Sequence, residues 1–144
     1  MKIQVAWIKS GGKRSAAIEE LTAQYVKRVA AFSQIEAQEF KTEAAFLKSL
    51  EKSGARLIVL DSRGRELSSE QFAEWLRAQR DASVPLAFAV GPADGFSDDM
   101  RRAAFAQISL GRMTLPHELA RVLLLEQLYR AFTILAGHPY HLGH

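Results

Sequence analysis

Five short apolar runs, each separated from the next by a helical pattern rather than a tight turn, leave this chain few folds to adopt. The runs are Ile3 to Ile8, Ile35 to Phe40, Arg56 to Asp61, Pro85 to Val90 and Gln107 to Leu110. Between the first two, Ile18, Leu21, Tyr25, Val26 and Val29 fall on one helical face. Phe46, Leu47 and Leu50 mark a shorter helix ending near Gly54. Ser62-Arg63-Gly64-Arg65 reads as a turn, after which Ser68 with Gln71 forms a capping box for the next helix. Ser97, Asp98 and Asp99 suit a helix N-terminus, and Pro116 fits the first turn of the last helix. Connections this long do not make hairpins; they return the chain to start parallel strands. The expectation is one α/β domain over residues 1–144, a mostly parallel sheet with helices on both faces.

Composition agrees with that frame. A chain of 144 residues with 48% hydrophobic and 24% charged residues can bury a single core and is not disordered. The absence of cysteine removes disulfides and thiolate zinc sites, in keeping with a cytoplasmic protein. The apolar start MKIQVAWIK is too short for a signal peptide, and no run is long enough to span a membrane. A net charge of +3 is mild and does not by itself select a phosphate-bearing partner.

Ligands of open α/β sheets sit outside the carboxyl ends of the strands. Three such ends stand out: Leu60-Asp61, the turn from Val90 through Gly91 and Pro92 to Gly95, and Leu110-Gly111-Arg112-Met113-Thr114-Leu115. Glycine there either admits a ligand close to the backbone or merely turns strand into helix. Neither a phosphate loop nor the dinucleotide fingerprint is present: the Gly11-Gly12-Lys13 stretch lacks the flanking residues of the first.

The last helix is apolar almost all round, through Leu119, Val122, Leu123, Leu124, Leu125, Leu128, Phe132 and Leu135. Such a helix is either a central core element or half of a two-fold subunit interface. Beyond it, His138, His141 and His144 have a spacing that brings zinc to mind. Pro139 breaks the helical repeat and no cysteine or carboxylate completes the set, so no metal is expected. Tyr140 and His141 suit contact with a nucleobase; a loosely ordered tail is the plainer alternative.

Taken together, TLPHELARVLLLEQLYRAF, the HPYH tail, LDSRGRELSSEQFA and the GPADG turn resemble the RlmH family of SPOUT methyltransferases, over essentially the whole chain. The resemblance implies a parallel α/β sheet whose C-terminal part threads a trefoil knot, working as a homodimer. It implies S-adenosylmethionine as methyl donor and N3 of a pseudouridine as acceptor. The substrate would be the helix 69 loop of 23S rRNA in the assembled ribosome, with no role for DNA or a membrane. Cofactor contacts carried over are Leu60, Gly91 and Leu110, Gly111, Arg112, Met113, Thr114 and Leu115. Those on the substrate side are Arg130, His138, Tyr140 and His141, for positioning or proton removal, the tail meeting the partner's cofactor pocket. Pro92 stands where the family usually has a second glycine, and Leu142 where it commonly has Arg or Lys. The competing readings are a flavodoxin-like nucleotide binder and a noncatalytic RNA-binding module of the ribosome.

Overall fold

The computed structural model describes residues 1–92 and 94–143, with the backbone only at positions 141 and 143. In chain order the elements are β1 (Lys2–Ile8), α1 (Ala16–Val29), β2 (Gln34–Phe40), α2 (Glu43–Ser53), β3 (Arg56–Glu66) and α3 (Ser69–Asp81). They continue with β4 (Leu86–Val90), α4 (Asp98–Ala103), β5 (Ala106–Ser109), α5 (His117–Ala136) and a 3-10 turn, Pro139–Gly143. All strand pairs are parallel, in the order β2-β1-β4-β3-β5.

Alternation along the central strands divides the interior into two layers. Leu86, Phe88 and Val90 of β4 face α1, α3 and α5, where Leu76, Leu124, Leu125 and Leu128 complete the larger cluster. Ala87 and Ala89 face the other way, toward Phe46 of α2 and Met100 of α4. Bulk on one face and alanine on the other let the long α5 and the short α4 both pack closely on one strand. Helix starts follow the sequence. Ser15, Thr42, Ser68 and Ser97 each accept a first-turn amide, and Ser68 and Gln71 make the reciprocal box. Only α5 opens without a side-chain cap, behind Pro116.

At two strands the carboxyl end differs from the sequence expectation. The turn at Ser62 to Arg65 does not end β3; the four residues after Leu60 bulge out and the strand resumes to Glu66, with Leu60 and Arg65 both opposite Ile108 of β5. Gly64 permits this, because a Cβ there would lie 2.8 Å from the backbone of Gln107 and Ile108. Strand β5 ends one residue early: the Ser109 hydroxyl accepts from the Gly111 amide at 3.0 Å and donates to the Gly111 carbonyl at 2.8 Å. That local loop draws the backbone away from the ladder. Among the described residues no helix is long and apolar enough to cross a membrane.

Candidate active site

The point where the first stretch of β3 ends, at Leu60, and the carboxyl ends of β4 and β5 converge on a cleft of about 360 Å³. Leu60, Gly91, Leu110, Gly111, Met113, Thr114 and Leu115 all line it, as does Pro92. Of the expected cofactor positions only Arg112 lies outside the lining; its side chain is exposed. A Cβ at Gly91 would meet the Phe96 ring at 3.0 Å, so a larger residue there has to press that ring aside. Pro92 does not disturb the turn, since its carbonyl accepts from the Gly95 amide at 2.9 Å. A neighbouring cavity of about 380 Å³, between α3 and α5, shares Leu110 and Gly111 but touches neither Leu60 nor Gly91. The three strand ends make the smaller cleft the stronger site.

Sequence reasoning named Asp61 as part of a strand end but passed over Arg63 and Arg101, which complete the polar frame of this cleft. Asp61 accepts from the Arg63 amide at 2.9 Å and from its guanidinium at 3.2 and 3.1 Å. Those bonds hold the Asp61 carboxyl below its usual range, aided by the charge of Arg101 and opposed by partial burial. Arg101 lies 3.6 Å from Asp61 and donates to the Phe96 carbonyl at 2.6 Å, so it ties the end of the first stretch of β3 to the turn after β4. An acidic residue directly after an apolar strand was the available signal.

The tail forms a second cluster at the other end of α5. Gly137 ends the helix in the left-handed conformation (φ 70°), and the His138 amide donates to the Thr133 carbonyl at 2.9 Å. Tyr140 then folds back: its hydroxyl donates to Glu126 at 3.1 Å, and its ring meets Tyr129 at 4.7 Å between centroids. Arg130 donates to the same Glu126 carboxylate at 3.0 Å and sits 5.2 Å from the Tyr140 ring centre. Burial first, then hydrogen bonding with Tyr25 and the charge of Glu126, pushes the Tyr140 phenol up to about 12. The Glu126 carboxylate raises Arg130 above its ordinary value. His138 Nδ1 accepts the Tyr140 amide at 3.2 Å, which places the proton of the neutral ring on Nε2. Leu142 is 77% exposed, so it leaves the place of the family's basic residue open to solvent. The side chain of His141, and all of His144, lie outside the described residues.

The two clusters do not meet within one chain. The cleft reaches Ala120 on α5, whereas the tail cluster is anchored on Glu126 and Arg130, about 9 and 15 Å further along the helix at 1.5 Å per residue.

Similarity to known proteins follows the same plan. Residues 1–141 match the family described as predicted SPOUT methyltransferases. The chain is 46% identical to ribosomal RNA large subunit methyltransferase H of Koribacter versatilis, across the full length of both. It is 55% identical to the protein of that name from Xanthobacter autotrophicus, over 69% of this chain and 62% of that one. Among solved structures, a methylase-family protein of Haemophilus influenzae superposes with a TM-score of 0.65 at 13% identity, covering 96% of this chain and 69% of that one. The SpoU methyltransferase AviRb of Streptomyces viridochromogenes gives 0.58 at 12% identity, over 95% and 61%. These structural likenesses are likenesses of fold. With the match along nearly the whole sequence, they establish that the chain belongs to the SPOUT methyltransferases, in the ribosomal RNA large subunit methyltransferase H family.

Proposed function

We propose that this protein is a homodimeric, cytoplasmic enzyme that uses S-adenosylmethionine to methylate N3 of a pseudouridine in the helix 69 loop of 23S rRNA, on the assembled ribosome. The observation that carries the reading is the convergence of three strand ends on one cleft, in a chain 46% identical end to end to a methyltransferase of the large-subunit rRNA.

The cleft suits the donor. Leu60, Leu110 and Leu115 offer apolar walls for an adenosyl group, and Gly91 leaves backbone bare where any side chain would press on Phe96. The loop from Leu110 to Leu115 would close around it, in the knotted arrangement expected of the family. When bound, S-adenosylmethionine supplies an electrophilic methyl group, so in-line placement of the acceptor accounts for much of the rate.

Placement falls to the tail. Arg130 and Tyr140 are fixed by a shared carboxylate, and the Tyr140 amide holds the imidazole of His138 beside them. With Nδ1 engaged, His138 presents Nε2–H, a donor for a carbonyl of the target base. The N3 proton then departs to His141 or to water, which a pH–rate profile separates. The tail cluster shares no residue with the cleft of its own chain, and, as the family resemblance implies, it serves the cleft of a second subunit. Leu119 and Leu123, 45% and 41% exposed on that helix, supply an apolar face for the dimer.

The test is incubation of unmodified ribosomes with labelled donor, followed by mapping of the modified nucleotide. Truncation after Ala136 abolishes transfer and leaves donor affinity near that of the full chain. Unchanged turnover by the truncated protein overturns the role given to the tail.

A further inference from the structure

Beside the cofactor cleft, at the carboxyl ends of β1 and β2, lies a smaller cavity of about 80 Å³. Trp7, Ser10, Lys13, Arg14, His117 and Arg121 are among its lining residues. It sits close to the cleft: Trp7 pairs with Val90, the residue before Gly91, and neighbouring strands are about 4.8 Å apart. Ser10 and His117 share a hydrogen bond of 2.9 Å, pinning the β1–α1 loop to the first turn of α5.

Arg121 is the unusual member. It is only 9% exposed, its guanidinium lies 4.0 Å from the Trp7 ring centre, and Nε has no hydrogen-bond partner. Among the described residues it has no ion pair either. An arginine brings five donors, and buried polar groups are nearly always matched. Burial pulls its guanidinium below the usual range, against the charges of Glu118, Glu39 and Glu19. Two of those carboxylates are already engaged. Glu39 accepts from Arg14 at 3.1 Å and from the Trp7 indole at 3.2 Å, and Glu19 accepts from Arg14 at 3.4 Å. Glu118, the third carboxylate of the lining, acts on Arg121 by its charge but makes no ion pair with it among the described residues, so the guanidinium has no directly bonded anion. Its volume takes a tetrahedral oxyanion with a few waters and excludes a purine or a second cofactor.

We propose that this cavity binds a backbone phosphate of the RNA strand beside the target base, with Arg121 as its buried cation and exposed Lys13 at its mouth. The inference rests on RNA being the substrate. It gives the cofactor-bearing subunit its own grip on the strand, where the tail of the partner supplies the grip on the base.

Steady-state transfer to ribosomes tests it, with Lys13→Gln and Arg121→Gln compared with the unaltered enzyme across a salt series. The expected result is a KM for ribosomes raised about tenfold, with kcat and donor affinity unchanged, and a log–log salt slope shallower by about 0.7–0.9 for the lost phosphate contact. Lys13 is exposed, so its variant decides the matter should Arg121→Gln not fold. Wild-type KM and slope in Lys13→Gln overturn the proposal. Trp7 supplies a readout independent of methylation. In a Trp75→Phe background, inorganic phosphate at constant ionic strength gives a saturable change in Trp7 fluorescence that Lys13→Gln weakens. If the unaltered enzyme modifies no ribosome, the rRNA reading fails and this titration alone judges the cavity; no response beyond that of chloride overturns it.

Discussion

Glu126 organises the tail, although nothing in the sequence marks it out. It lies four residues before Arg130, and such a pair on a helix ordinarily reads as a solvated ion pair worth a few tenths of a kcal/mol. Here both partners are about 15% exposed, and the carboxylate also takes the Tyr140 hydroxyl. Arg130 and Tyr140 were legible from the family motif; their common anchor depends on how the chain folds back after Gly137. Replacing Glu126 with Gln removes the charge that fixes both groups. Turnover is expected to fall about a hundredfold, the usual cost of misplacing a reacting group by an ångström. Donor binding, read by calorimetry, stays unchanged. Tyr140 gives a pH test. Its phenol is held at about 12, above an unfolded value of about 10. A raised folded value means that the contribution to stability is present below pH 10 and is lost as pH rises through 12. Tyrosinate absorbance should show a step near 12 that Tyr140→Phe abolishes; a protein lacking that step would contradict the docked tail.

Among the elements, β3 and α5 depart most from what local sequence can express. Ser-Arg-Gly-Arg carries every sign of a turn, and the chain does bulge there, yet the strand resumes beyond it. The reason is non-local: Gly64 presses against the backbone of β5, and a contact between residues 64 and 107 leaves no trace in a window of a dozen residues. Gly64→Ala places a methyl group against main chain that cannot swing aside. A loss of about 1–3 kcal/mol is expected, read as a lowered melting temperature. A variant as stable as the parent would show that β3 and β5 part without cost. The capping serines and Thr42, by contrast, were written locally, because a cap needs only its own next three residues. For α5 the pattern left two fates open, core helix or interface. The core fate holds for Leu124, Leu125 and Leu128, which are fully buried within the chain, while Leu119 and Leu123 remain exposed, on the face given above to the proposed dimer.

For the molecule as a whole, the parallel sheet with two covered faces followed from the alternation of elements, since long connections and continuous apolar strands allow little else. The strand order did not follow; it is set by which helices share a face. The residue pattern did place the cofactor turn before Pro116 and the last helix, and the tail after it, from His138. That separation yields a test of the dimer. A subunit with a blocked cleft (Gly91→Trp) and a subunit truncated after Ala136 are each inactive alone. Co-expressed, they form a mixed dimer with one intact combination of cleft and tail, and about a quarter of parental activity returns on random pairing. No recovery would mean that each cleft is served by its own chain. The length of α5 carries a consequence for how such a protein tolerates change. One residue inserted between Pro116 and Glu126 would swing the tail by about 100° and shift it by about 1.5 Å relative to the cofactor turns. The Glu126–Arg130–Tyr140 cluster would survive intact yet aim at the wrong place. Insertions are thus expected in surface loops such as the one at Lys41, and never within this spacer, whose residue count matters more than most of its side chains.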